Sequence, residues 1–165
     1  MKLTFIGKPV ETNKEPINEG EFLPDFKVLD ANGNEFTKDN LKNKPALILT
    51  VPDVNSRACS LETKHFNRRA DKFENVDFYT VSKNTVEDQK NWCAAKGVKS
   101  MNLLSDQDFS FGKATGTYVK DLDALARTVF AVDNEGKIVY REVVSEIGEQ
   151  PDYRKAEAVA EKLNK

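Results

Sequence analysis

Three residues stand where they can do chemistry together: Pro52, Ser56 and Cys59, in the stretch Val51-Pro-Asp-Val-Asn-Ser-Arg-Ala-Cys-Ser60. The stretch follows the apolar run Ala46 to Val51, which reads as a strand, and precedes an amphipathic segment, which reads as a helix. Cys59 therefore falls at or within the first turn of a helix, at the carboxyl edge of a strand. Unpaired backbone N–H groups and the positive end of the helix dipole favour an anion there, so a thiol so placed is disposed to ionise. An ordinary thiol, with a pKa of about 8.5, is only a few per cent thiolate at neutral pH. Complete ionisation then gains roughly thirty-fold, while nucleophilicity falls as the pKa falls. A demanding reaction also needs donors that hold the electrophile and stabilise what leaves. Ser56 offers a hydroxyl that both donates and accepts. Arg127 heads an otherwise apolar strand, where a guanidinium is out of place unless it faces an anion. Pro52, with fixed φ and no N–H, can end the strand and shield a sulfur from water. Each has a plain alternative: Pro52 as strand terminator, Ser56 as helix N-cap, Arg127 as an edge charge in water.

The totals narrow what the thiol can be for. The chain has 165 residues, two cysteines and one histidine, with a formal charge of −2. That length is expected to form one domain, residues 1–165, with a core that needs no covalent staples. Scattered charges give no footprint for nucleic acid, and no apolar run reaches membrane-spanning length. Met1 to Gly7 is too short and too soon interrupted for a secretory h-region, so a cytoplasmic protein is expected. Cys59 and Cys93 are too few for a disulfide scaffold, and with His65 they make a poor zinc site. Two thiols in a reducing compartment are either buried bystanders or transient redox chemistry. Neither metal nor cofactor is expected. His65 lies six residues beyond Cys59, about 600° round a helix, and so points away from the cysteine's face. A Cys–His hydrolase has little support.

The positioning elements follow from periodicity and turn chemistry. Leu3–Ile6 and Val10–Thr12 flank the turn cluster Gly7-Lys8-Pro9, an N-terminal hairpin. Phe26–Leu29 and Glu35–Thr37 flank Asn32-Gly33, a second hairpin signal; Thr37 to Leu41 suits one helical turn. Six consecutive apolar or small residues, Ala46 to Val51, suit a strand buried on both faces. From Ala58 to Phe73, Leu61, Phe66, Ala70 and Phe73 recur at helical spacing. Val76–Val81 is the next strand. Asn84–Gly97 is the next helix, with Asn84 or Thr85 as its cap and Gly97 as its stop. A short strand at Leu103-Leu104 and a short helix from Phe109 to Ala114 follow. Arg127–Val132 and Lys137–Val143 form a hairpin across Asp133-Asn-Glu-Gly136, and a helix begins near Asp152. Strands alternating with helices, then an antiparallel pair, imply an α/β fold with a mixed sheet flanked by helices.

Pro52-x-x-x-Ser56-x-x-Cys59 resembles the P-x-x-x-[TS]-x-x-C signature of peroxiredoxins, cysteine-based peroxidases of the thioredoxin fold. Further stretches resemble the thiol peroxidase subfamily of atypical two-cysteine peroxiredoxins: Phe5-x-Gly7-x-Pro9-Val10, Asn91-Trp-Cys93-Ala-Ala-Lys-Gly97, Leu125-Ala-Arg127-Thr-Val-Phe-Ala-Val-Asp133 and Glu146-Ile-x-x-x-Pro151-Asp-Tyr153. The resemblance spans essentially the whole chain. It implies a thioredoxin-like fold with an N-terminal β-hairpin, a hydroperoxide substrate, thioredoxin as reductant and a homodimer. It implies Cys59 as the peroxidatic and Cys93 as the resolving cysteine, joined transiently as a Cys59–Cys93 disulfide. Arg127 and Ser56 would orient the peroxide, and Pro52 would shield the site. Ser56 departs from the threonine most members carry; the hydroxyl is kept and the methyl that restricts its rotamer is lost. Because a disulfide needs Cα atoms within about 7 Å, one helix end is expected to unravel in each cycle, with Trp92 as its reporter.

Three rivals make different predictions. A non-enzymatic redox sensor would not sustain peroxide turnover. A single-cysteine peroxidase, with Cys93 only a core residue, would turn over as Cys93→Ser. An inert binding module would alkylate at Cys59 no faster than a model thiol.

Overall fold

The computed structural model describes residues 1–70, 72–96 and 102–165. It opens with a hairpin of β1 (Lys2–Phe5) and β2 (Lys8–Glu11), in register from Lys2–Glu11 to Phe5–Lys8. Its turn is Ile6-Gly7, at φ of 50° and 75°, the positive pair that lets a two-residue turn match strand twist. The sequence places the turn one step later; Pro9 instead lies inside β2 opposite Thr4, on an edge strand where a missing N–H is tolerated.

Next come β3 (Lys27–Leu29), β4 (Glu35–Thr37), a 3-10 turn at Lys38–Leu41, β5 (Ala46–Thr50) and α1 (Arg57–Ala70). Then follow β6 (Asp77–Ser82), α2 (Val86–Lys96), β7 (Asn102–Ser105) and α3 (Ser110–Thr115). A small ribbon of β8 (Tyr118–Val119) and β9 (Ala124–Leu125) brackets a 3-10 turn at Lys120–Leu122; its two-residue strands are too short to show in periodicity. The hairpin of β10 (Thr128–Val132) and β11 (Ile138–Val143) and the helix α4 (Tyr153–Leu163) complete the order.

Seven strands make one mixed sheet in the order β11-β10-β5-β6-β7-β3-β4. β5, β6 and β7 run parallel, while β10 lies antiparallel to β5. Every residue of β5 is buried, because successive side chains feed two different cores. Leu47 and Leu49 join Phe66, Phe78, Trp92, Val129, Ala156 and Ala160 on one face. Ala46 and Ile48 join Leu23, Phe26, Tyr79, Phe111 and Phe130 on the other. The unbroken apolar run is thus a strand covered on both sides, as expected.

α1 turns differently from its sequence reading. Phe66 is fully buried, and Ala70 and Phe73 pack on the same core, but Leu61 is 51% exposed. The inward positions are Cys59, Glu62, Thr63 and Phe66, the i, i+3, i+4, i+7 stripe of a core-facing helix. Thr85 rather than Asn84 caps α2, accepting the Asp88 N–H at 3.1 Å. The stop expected at Gly97 lies outside the described residues.

Candidate active site

The strand-to-helix junction is built by hydrogen bonds that leave little freedom. β5 is extended one residue by the Val51 N–H, bonded to the Val81 carbonyl at 3.0 Å, before buried Pro52 ends the ladder. The chain then turns, the Ser56 N–H reaching the Asp53 carbonyl at 3.0 Å. Asn84, from the end of β6, accepts the Val54 N–H and donates to Asp53 Oδ1, each at 3.0 Å. A buried backbone donor left unpaired is costly, so Asn84 fixes the path of the turn.

Ser56 precedes α1 and accepts the Cys59 N–H on Oγ at 3.2 Å, which is an N-cap bond to the third helical residue. The capping bond draws on a lone pair and leaves the hydroxyl proton free to donate. Cys59 is thereby held in the first turn with no exposed surface.

Arg127 stands immediately before β10 and is 1% exposed, so it is no edge charge in water. Its Nη2 donates to Cys59 Sγ at 3.2 Å, and its Nε donates to the Ile147 carbonyl at 2.8 Å. The strand pair beneath is pinned by Thr50 Oγ1, which donates to the Ala126 carbonyl at 2.8 Å and meets Thr128 Oγ1 at 2.5 Å. A guanidinium N–H on a sulfur is a charge-assisted bond that stabilises a thiolate.

The carbonyl that holds Arg127 belongs to a loop tied down at several points. The Ile147 N–H reaches Thr4 of β1 at 2.8 Å. Glu146 takes N–H bonds from Ile6, Gly7 and Gly148 at 2.9 to 3.2 Å and a hydroxyl bond from Thr4 at 3.1 Å. Those donors, those of Gly7 and Gly148 foremost, hold its carboxyl below the usual carboxylate range. Gln150 donates to the Ala58 carbonyl at 2.9 Å and accepts from the Tyr153 hydroxyl, so the loop reaches α1 one residue from Cys59.

Glu62 lies three residues beyond Cys59 and hence on its helix face, a relation that its charge hides in a hydropathy pattern. It is fully buried, with Oε1 3.7 Å from Arg127 Nη1. That is too long for a hydrogen bond, and both carboxyl oxygens and Nη1 lack hydrogen-bond partners. Burial pushes its carboxyl up to about 8, outweighing the opposing pull of Arg127.

Cys93, on α2, is partly exposed and packs against the same core as Cys59 and Trp92. Burial pushes its thiol up. Both cysteines are free thiols. Cys93 also borders a cavity of about 480 Å³ with Phe36, Tyr79, Gln89 and Leu103. His65 points toward α4, its Nε2 2.8 Å from Glu157 and its ring 4.0 Å from that of Tyr153; it takes no part at the sulfur. Among the described residues, no group of three or more His, Cys, Asp or Glu is placed to hold a metal ion.

A buried cysteine in the first turn of a helix, on a mixed α/β sheet and bonded by a buried arginine, defines a thiol-based redox site on a thioredoxin-like fold. Residues 20–141 match the model of the AhpC/TSA family. The thiol peroxidase of Bacillus subtilis (strain 168) is 38% identical over 165 residues, covering 99% of each chain. That of Staphylococcus aureus (strain MRSA252) is 40% identical over 153 residues, covering 92% of this chain and 93% of the relative. The crystal structure of a peroxiredoxin-like protein from Aquifex aeolicus superposes with a TM-score of 0.90 at 28% identity, covering 98% of this chain and 96% of that one. The chain belongs to the AhpC/TSA family. It is a peroxiredoxin-type oxidoreductase.

Proposed function

We propose that this protein reduces hydrogen peroxide and organic hydroperoxides through Cys59, and that Cys93 resolves the product for reduction by thioredoxin. The observation that carries this is the bond from buried Arg127 to the sulfur of Cys59 at 3.2 Å. As a thiolate, Cys59 attacks the terminal peroxide oxygen; an S–O bond forms, the O–O bond breaks, and sulfur is oxidised by two electrons to a sulfenic acid. The departing oxygen gathers negative charge and leaves as water or an alcohol after taking a proton. Arg127 and the free hydroxyl proton of Ser56 are the donors aimed where that charge develops. Pro52 shields the sulfur and keeps the Cys59 loop in its turn. Cys93 then condenses with the sulfenic acid to a Cys59–Cys93 disulfide, losing water, and thioredoxin reopens it by thiol–disulfide exchange. A cytoplasmic homodimer belongs to the same proposal.

Cys93 also supports a narrower reading. Its partly exposed thiol packs against the core and is pushed up by burial, as for a structural cysteine, and a one-cysteine peroxidase would need no more than Cys59. Intact mass of reduced protein after one equivalent of hydrogen peroxide, without reductant, separates the two. Loss of two hydrogens mapped to a Cys59–Cys93 peptide supports the two-cysteine cycle. One oxygen added at Cys59 supports the narrower reading, and no rapid change rejects both.

A further inference from the structure

Arg127 poses a problem of charge that the peroxidase cycle makes acute. A buried guanidinium needs an anion beside it, and the cycle removes one each time the sulfur of Cys59 becomes a neutral sulfenic acid or disulfide. Glu62 is placed to answer it: fully buried, 3.7 Å from Nη1, with both oxygens and Nη1 free of hydrogen bonds. We propose that Glu62 is a positioning residue that exchanges charge with Cys59, neutral while the sulfur is a thiolate and ionised once the sulfur is oxidised. The inference rests on the peroxidatic reading of Cys59 and deepens it.

The other groups facing Glu62 do not fill this role. Glu142, on β11, raises the Glu62 carboxyl slightly by its charge, but both its oxygens accept the Asp152 N–H, at 2.9 and 3.1 Å. Tyr153, on α4, has its phenol pushed above the ordinary range by burial and by Glu62, so it stays neutral, and it donates to Gln150. On α1 itself, His65 is turned to Glu157. Burial already holds Glu62 up to about 8, so the neutral acid is its resting form near neutrality.

The step balances. Thiolate, carboxylic acid and hydroperoxide become sulfenic acid, carboxylate and alcohol or water. Sulfur loses the two electrons that the peroxide oxygens gain. The proton that completes the leaving oxygen is matched by the one Glu62 releases, so the buried site is neutral before and after. With the carboxylate formed, Arg127 has a reason to turn from the sulfur toward Glu62, which frees the oxidised sulfur for its next partner.

Infrared difference spectra of reduced against peroxide-treated protein at pH 7 read the exchange directly. Oxidation is expected to remove one carboxylic-acid C=O band and create one carboxylate band, both absent in E62Q and both shifted by carbon-13-labelled glutamate in the unaltered chain. The labelled chain keeps the test decisive if E62Q fails to fold. Oxidation of Cys59, confirmed by mass on the same sample, with no loss of a carboxylic-acid band overturns the exchange. Failure of Cys59 to oxidise overturns the peroxidatic reading itself. A pH indicator gives a second readout: the unaltered protein takes up no proton per Cys59 oxidised, and E62Q takes up one. Equal uptake by the two proteins overturns the proposal.

Discussion

At the residue scale, the site turns on how many partners each side chain serves. Arg127 divides its donors between a backbone carbonyl and the cysteine sulfur, so shape and charge are both required. Arg127→Lys keeps the charge and loses the planar fork. The rate constant for Cys59 oxidation by hydrogen peroxide, followed in single turnover, should fall on the order of a hundredfold, the scale of losing one preorganised donor; Arg127→Ala should fall further. Ser56 caps α1 and, in the proposed cycle, donates to the departing oxygen. Ser56→Ala should therefore cost about 1 kcal/mol in a denaturant melt and also lower the oxidation rate. Ser56→Thr should restore both, since it keeps the oxygen and narrows its rotamers. A loss of stability with an unchanged rate would leave Ser56 as a cap alone.

At the element scale, the parts most legible in the sequence are those with strictly local rules. Ala46 to Val51 announces a doubly covered strand because no charged residue interrupts it. Asp152 announces α4, whose Lys155 N–H it caps at 3.1 Å. The phase of α1 is not locally legible, because Leu61 is more apolar than Glu62 and a hydropathy pattern puts it inside. The sheet decides otherwise: Cys59 and Phe66 must both face it, and Glu62 lies between them on that face. No local pattern could show that Ile147 and Gln150 serve the site, since they meet Arg127 and Ala58 across 20 and 92 residues of chain. The α2 helix carries a prediction of its own. Trp92 is 4% exposed with its indole N–H unpaired, beside the cysteine that the proposed cycle joins to Cys59. Peroxide treatment should raise hydrogen exchange across residues 86–96 and change the Trp92 fluorescence. Cys93→Ser should show neither; equal protection in reduced and oxidised protein would refute local unravelling.

At the scale of the whole molecule, a buried acid leaves its mark on stability. Burial in the folded chain pushes the Glu62 carboxyl from an ordinary 4.5 up to about 8. Between those values the folded chain holds a proton that the unfolded chain has given up, so stability falls as pH rises through that window. The slope approaches about 1.4 kcal/mol per pH unit for one group. Denaturant melts between pH 5 and 8 should therefore show a decline of a few kcal/mol from Glu62, and E62Q should flatten it. A parallel slope in E62Q would place the origin elsewhere.

The grip on Arg127 by the Ile147 carbonyl has a consequence for how such a protein can vary. A main-chain oxygen is present whatever amino acid occupies the position, so the contact is invisible to substitution at 147 so long as the chain path is kept. The burden of preserving it passes to residues that never approach the sulfur: Glu146, which gathers the Ile6 and Gly7 amides, and Thr4, which anchors the same strand. Lineages should exchange apolar side chains at 147, which is buried in a core with Leu3, Val10 and Ala126, and stay constrained at the distant hairpin. A saturation library scored for peroxide resistance would display that inversion, with tolerance to apolar replacements at 147 and intolerance at 146.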